Sequence, residues 1–198
     1  MAASKTHLQN PRAAPVTDRR NAIEAKIAAA GLSANCRTVA DYWFSLWEGD
    51  AWPARESFRP VRLGQLLRNV ILFDVVPGQG AQVRLTGTGI TNFLGMDLTG
   101  VDWLGTVTGE RRQQRLNELS RIAQGAIAVG VRTVTLAHGP QQAVREILLP
   151  FRPPADGGPT QVLYFLDWFS TNPAVRLASA ADGIGAPVAS TFIALNET

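Results

Sequence analysis

Apolar positions along this chain follow two periods, and the change between them divides it. Over roughly residues 19–30, Ile23, Ile27 and Ala30 lie one helical turn apart, with Arg19, Glu24 and Lys26 off that face. Asp18 is placed to cap this helix and Gly31 to end it. A stronger stripe follows over residues 37–48. There Val39, Tyr42, Trp43, Leu46 and Trp47 occupy positions i, i+3, i+4, i+7 and i+8, while Arg37, Thr38, Asp41, Ser45 and Glu48 stay off it. Three bulky aromatics on one face require burial against a sheet or a partner chain. Residues 51–60 form an irregular connection fixed by Pro53 and Pro60, and a short helix is expected near 61–67.

From Val70 the period becomes that of strands. Residues 70–76 are rich in branched side chains, Pro77-Gly78-Gln79-Gly80 is turn material, and a second strand is expected over 81–88. One helical turn at 90–94 is ended by Gly95, and a longer helix is predicted over 109–124, with Leu116, Leu119 and Ala123 inside. Three further strands are predicted at 128–137, 142–151 and 161–168, the first two joined through His138-Gly139-Pro140. Residues 170–198 read as a tail rich in Ala, Gly and Ser, with a short element at Thr191–Leu195. Two strands, a helical insertion and three strands make an α+β fold: a five-stranded antiparallel sheet with helices on one face, plus an N-terminal helical extension.

Composition narrows the function classes. The 198 residues fit one domain with extensions, 45% hydrophobic and 18% charged, with a net charge of +3. Part of that charge sits in a basic arm over 1–17. The single cysteine, Cys36, excludes an internal disulfide, and the N-terminus lacks the apolar segment of a secretion signal. No apolar run is long enough to span a membrane. A cytoplasmic location is expected. Arg55, Arg59, Arg62 and Arg68 form a basic run, but no nucleic-acid motif accompanies them, so a solvated or partner-facing edge is expected there.

Several short motifs occur in a telling order. They are Tyr42-Trp43, Gly49, Pro53-Ala54-Arg55, Leu72-Phe73-Asp74, Arg84-Leu85-Thr86-Gly87-Thr88, the Gly95–Gly100 loop and Glu146–Pro150. On these the chain resembles the PAS domain, and more narrowly the alphaproteobacterial single-domain PAS family. The resemblance covers about two thirds of the chain. It places the domain at 36–169, behind an amphipathic helix at 18–35 and ahead of the tail at 170–198. It implies a non-enzymatic sensory or interaction module in a bacterial signalling pathway, one that binds a small apolar or amphipathic ligand, a protein partner, or both. Dimerisation through the N-terminal helix is implied by the same analogy, with Ile23, Ile27, Val39 and Trp43 at the interface.

Candidate site residues follow from burial and charge. Arg84 and Glu146 are charged residues within apolar strands, where a charge must be paired or solvated. Arg84 is suited to grip an anionic group, although pairing with Asp74 or Glu146, or simple exposure, is the favoured reading. Phe93 and Trp103 flank the short helical segment that borders the cavity in PAS folds. The ligand-binding candidates are therefore Arg84, Phe93, Trp103 and Glu146. Asn35-Cys36-Arg37 matches a flavin-photosensor motif but precedes the core, so an inert or surface thiol is expected. His7 and His138 stand alone, without partners for a metal, haem or a catalytic triad. No cofactor is expected. The rival reading is a small-molecule enzyme on a cone-shaped α+β fold using Arg84, Asp74 and Glu146. It requires those three side chains to converge on one cavity.

Overall fold

The computed structural model describes residues 16–49, 51–135, 141–168 and 184–196. The basic arm over 1–15, both histidines and most of the expected tail lie outside these residues.

Helix α1 (Val16–Ala29) stops at Gly31, whose φ of 72° is the left-handed conformation that terminates helices. Helix α2 (Ala34–Ser45) begins earlier than the aromatic stripe suggested, because the Ser33 hydroxyl accepts a hydrogen bond from the Cys36 amide at 3.2 Å. A 3-10 segment (Pro60–Asn69), broken by Gly64 in a positive-φ conformation, leads into the sheet. Strands β1 (Val70–Val76) and β2 (Gly80–Thr86) precede the short helix α3 (Thr88–Leu94), and helix α4 (Gly109–Ala123) precedes β3 (Ala126–Thr135), β4 (Gln141–Pro150) and β5 (Thr160–Asp167).

These five strands pair antiparallel in the order β2-β1-β5-β4-β3, as the element order predicts. A sixth, β6 (Ile184–Ala194), extends the sheet beyond β3, where the sequence suggested a tail with one short element. Its inner side is well anchored. Ile193 and Leu195 are buried, and the Leu195 amide donates to the Gly125 carbonyl at 2.7 Å.

Helices cover both faces of the sheet rather than one. On the first face, Ile71, Phe73, Val75, Val144, Leu148, Val162, Tyr164 and Leu166 pack beneath α3 and α4. On the second, Val70, Leu72, Ile127, Val129, Ile147, Leu149, Leu163 and Phe165 pack beneath α1 and α2. Trp43 is anchored there by donating its Nε1–H to the Pro150 carbonyl at 3.0 Å. Fully covered strands explain the unbroken apolar runs Ile147-Leu148-Leu149 and Val162–Leu166, since neither face needs polar residues.

This arrangement corrects the expected dimer interface. Ile23 (4% exposed), Ile27 (3%), Val39 (1%) and Trp43 (1%) are already buried against the chain's own sheet. The apolar surface thought to require a partner is consumed within one copy.

Candidate functional site

Strand alternation carries three polar side chains into the first face, under α4. Arg132 on β3, Glu146 on β4 and Tyr164 on β5 all point to the helix side, among apolar neighbours. From above, α4 supplies Arg115 and Glu118. These two occupy the first turns of the buried stripe that continues through Leu119, Ile122 and Ala123.

The groups form one connected network. Arg132 donates from Nε to Glu146 Oε2 at 2.7 Å, and from a terminal nitrogen to both oxygens of Glu118 at 3.0 and 3.1 Å. The Tyr164 hydroxyl donates to Glu146 Oε2 at 2.6 Å. Arg115 lies over the Trp103 ring at 5.0 Å and donates to the Thr106 hydroxyl at 3.3 Å. Two arginines and two glutamates thus meet in a space of balanced charge. Burying charge is costly unless it is paired and hydrogen-bonded, and here the pairing is extensive.

The electrostatics reflect burial opposed by neighbours. Burial acts against the charge on Arg132, but Tyr164, Glu146 and Glu118 outweigh it and hold its pKa well above the ordinary arginine value. Burial, reinforced by Glu146, pushes the Tyr164 hydroxyl well up, so it stays protonated and serves as a donor. Burial also raises Glu118, with Arg132 partly opposing the shift. Arg115 is lowered to about 10, first by burial and then by the charge of Arg132.

Phe73, Trp103, Leu119, Leu148 and Tyr164 line a small cavity with Arg115, Glu118 and Arg132. Its free volume, traced by the centre of a water-sized sphere, is about 10 Å3. That is room for about one water.

The four ligand-binding candidates separate. Trp103 lines this cavity and Glu146 belongs to the network beside it. Phe93 is buried and lies 3.9 Å, centroid to centroid, from the Trp168 ring. Arg84 is the extra residue in a bulge of β2, where the register shifts opposite Leu72 and Phe73, and it is exposed. Asp74 lies on the opposite sheet face from Glu146, hydrogen-bonded by the Gln161 amide at 2.6 Å. The three residues required by the enzyme reading therefore do not converge.

Sequence reasoning missed Arg115, Glu118, Arg132 and Tyr164. A signal existed for three of them. Arg132 interrupts an otherwise small and apolar strand, and Arg115 and Glu118 take stripe positions that a solvated charge would avoid.

Cys36, on the inner side of α2, is fully buried against the other face of the sheet. Burial pushes its thiol up to about 12, despite the Ser33 hydrogen bond. Among the described residues, no cluster of His, Cys, Asp and Glu is arranged to hold a metal.

An antiparallel sheet in this order, with short helical elements and α4 laid over one face, defines an open α+β module. A family model described as "PAS domain" matches residues 32–164, and the chain belongs to that family. No curated protein matches it.

Proposed function

We propose that this chain is a non-enzymatic PAS interaction module that acts in a bacterial signalling pathway by binding another protein. The single observation carrying this reading is the filled space between α4 and the sheet. The polar groups there satisfy one another, and what remains holds about one water. Ligand pockets for drug-sized molecules are usually at least about 300 Å3, so a metabolite at this position would have to displace α4. The separation of Arg84, Asp74 and Glu146 weighs against acid–base chemistry by that set. A cytoplasmic setting is part of the proposal. It agrees with a buried, unpaired cysteine and with the lack, among the described residues, of a helix long and apolar enough to cross a membrane.

Native mass spectrometry of the purified chain tests the reading. The expected spectrum carries the protein mass without an organic adduct. A stoichiometric small molecule that survives gentle desolvation and leaves on collisional activation would overturn the filled-core argument and restore the ligand-sensor reading.

A further inference from the structure

Residues 57–96 carry four arginines, Arg59, Arg62, Arg68 and Arg84, against one acid, Asp74. Arg59 is occupied locally, donating to the Glu56 and Phe58 carbonyls. Arg62, Arg68 and Arg84 are exposed and, among the described residues, form no ion pair or hydrogen bond. The acids closest in sequence to Arg68 and Arg84 are engaged elsewhere. Asp74 accepts from the Gln161 amide at 2.6 Å, and Asp97 accepts from the Thr99 amide and hydroxyl at 2.9 and 2.8 Å.

These unpaired cations adjoin an apolar groove. It runs between the 3-10 segment and the end of β2, encloses about 300 Å3, and has Gly64, Leu67, Arg68, Leu85 and Gly87 among its walls. Arg84 precedes Leu85 on β2. Leu67 and Leu85 are half-buried, so each keeps apolar surface open to solvent, and Val61, three residues before Gly64, is 79% exposed. The two walls are fixed to one another. The Gly87 amide donates to the Val70 carbonyl at 2.8 Å, and a Cβ on Gly87 would lie 2.4 Å from the Arg68 carbonyl oxygen. A groove formed in advance binds without the cost of ordering its own walls.

Resting on the reading of the chain as a protein-binding module, we propose that this groove is where the partner protein docks, and that the docked segment is acidic and bears leucine-like side chains. An apolar side chain enters between Leu67 and Leu85, while carboxylates beside it meet Arg62, Arg68 and Arg84. The planar guanidinium fork suits that group. Nucleic acid has the required charge but finds no matching surface. Phe58, Phe73 and Phe93, the aromatics of this stretch, are all buried, so none is offered to stack on a base.

Fluorescence anisotropy of the full chain with a labelled peptide of Glu-Glu-Leu-Leu repeats tests the site, beside a peptide of Lys-Lys-Leu-Leu repeats and a labelled single-stranded oligonucleotide. The unaltered protein should bind the acidic peptide alone, and more weakly as salt is raised. Arg68→Glu with Arg84→Glu should lower that affinity about tenfold and bring in binding of the lysine peptide. Protection of the Cys36 thiol verifies that the variant remains folded. No binding of the acidic peptide, an affinity untouched by the double variant, or a preference for the oligonucleotide would each overturn the proposal.

Photo-crosslinking in a lysate of the source organism, with a benzophenone side chain at Gln65 in the groove or at the exposed Lys26 on α1, separates this proposal from the wider reading. Protein adducts at Gln65 that disappear in the double variant support the groove. Adducts at Lys26 but not at Gln65 sink the groove and leave the protein-binding module standing, and adducts at neither position sink both.

Discussion

Replacing Arg132 by methionine tests whether the network under α4 holds the helix to the sheet or merely fills space. Methionine keeps the unbranched stem and removes the guanidinium, so packing changes little while the charge balance is lost. Glu146, 1% exposed at its side chain, and Glu118, at 11%, then lose their shared cation, and Arg115 acts on Glu118 from a greater remove. Breaking a buried ion pair from one side costs about 3–5 kcal/mol. Here two carboxylates lose the same partner, which favours the upper end. With a urea m-value of about 2 kcal/mol/M, the unfolding midpoint should fall by about 2 M. Urea titration followed by tryptophan fluorescence measures it directly.

The pH dependence gives a second check. Burial already raises Glu118, and Arg132 opposes that shift, so removing Arg132 raises it further. A carboxyl whose folded-state pKa exceeds its unfolded value binds its proton more tightly when folded. Its penalty is absent at pH below the unfolded value and grows as pH rises through the folded one. The deficit of Arg132→Met relative to the unaltered protein should therefore shrink on going from pH 7 to pH 5. Glu146→Gln, which keeps an acceptor for both Tyr164 and Arg132, should cost less, about 1.5–3 kcal/mol. A loss below about 1 kcal/mol for Arg132→Met, or a deficit unchanged with pH, would refute the argument that the charges are desolvated and interdependent.

Two further outcomes are expected. The Cys36 thiol, pushed up to about 12 and fully buried, should resist a thiol reagent such as Ellman's at pH 8 and react once in guanidinium; reaction in the folded state would place α2 off the sheet. Gly130→Ala should push β6 away from β3 at an overpacking cost of about 1–3 kcal/mol, and hydrogen exchange should find the amides near Ala189 and Ser190 less protected while those of β1 and β5 are unchanged.

The order of elements was legible because it rests on period and punctuation. The apolar run at 70–76, its Pro-Gly turn and the stripe at 116–123 mark β1, the hairpin and α4 with little help from the rest of the chain. The second covered face was written less plainly. A helix stripe such as Val39–Trp47 states that something must cover it, but not whether that is the chain's own sheet or a partner's. The consecutive apolar residues at 147–149 carried the missing half of the message. Strand β6 escaped because the Ala- and Ser-rich stretch around Ile193 lacks the branched density of a core strand. Its place is set by close approach at Gly130, which is a property of the partner strand. The site was half visible. Glu146 stood out as a charge in a strand, but its partners come from β3, β5 and α4, and no local pattern joins residues 14 and 18 positions away. The exposure of Arg84 follows the plain alternation of β2, in which Ala81 and Val83 are buried and Gln82 and Arg84 are not.

The two-sided covering of the sheet also decides what counts as the folding unit. The family-matched stretch, 32–164, omits α1, the last three residues of β5 and all of β6. Cutting the chain to that stretch would remove Ile23, Ile27, Ile193 and Leu195 from a single shared cluster. Burial of side chains this size is worth about 1.5–3 kcal/mol each, so together they approach the whole stability of a typical domain, about 5–15 kcal/mol. The segment that matches the family model and the segment needed to complete the core are therefore different lengths. The flanking sequences are part of the core that holds the sheet, so substitutions at Ile23, Ile27, Ile193 or Leu195 should lower stability.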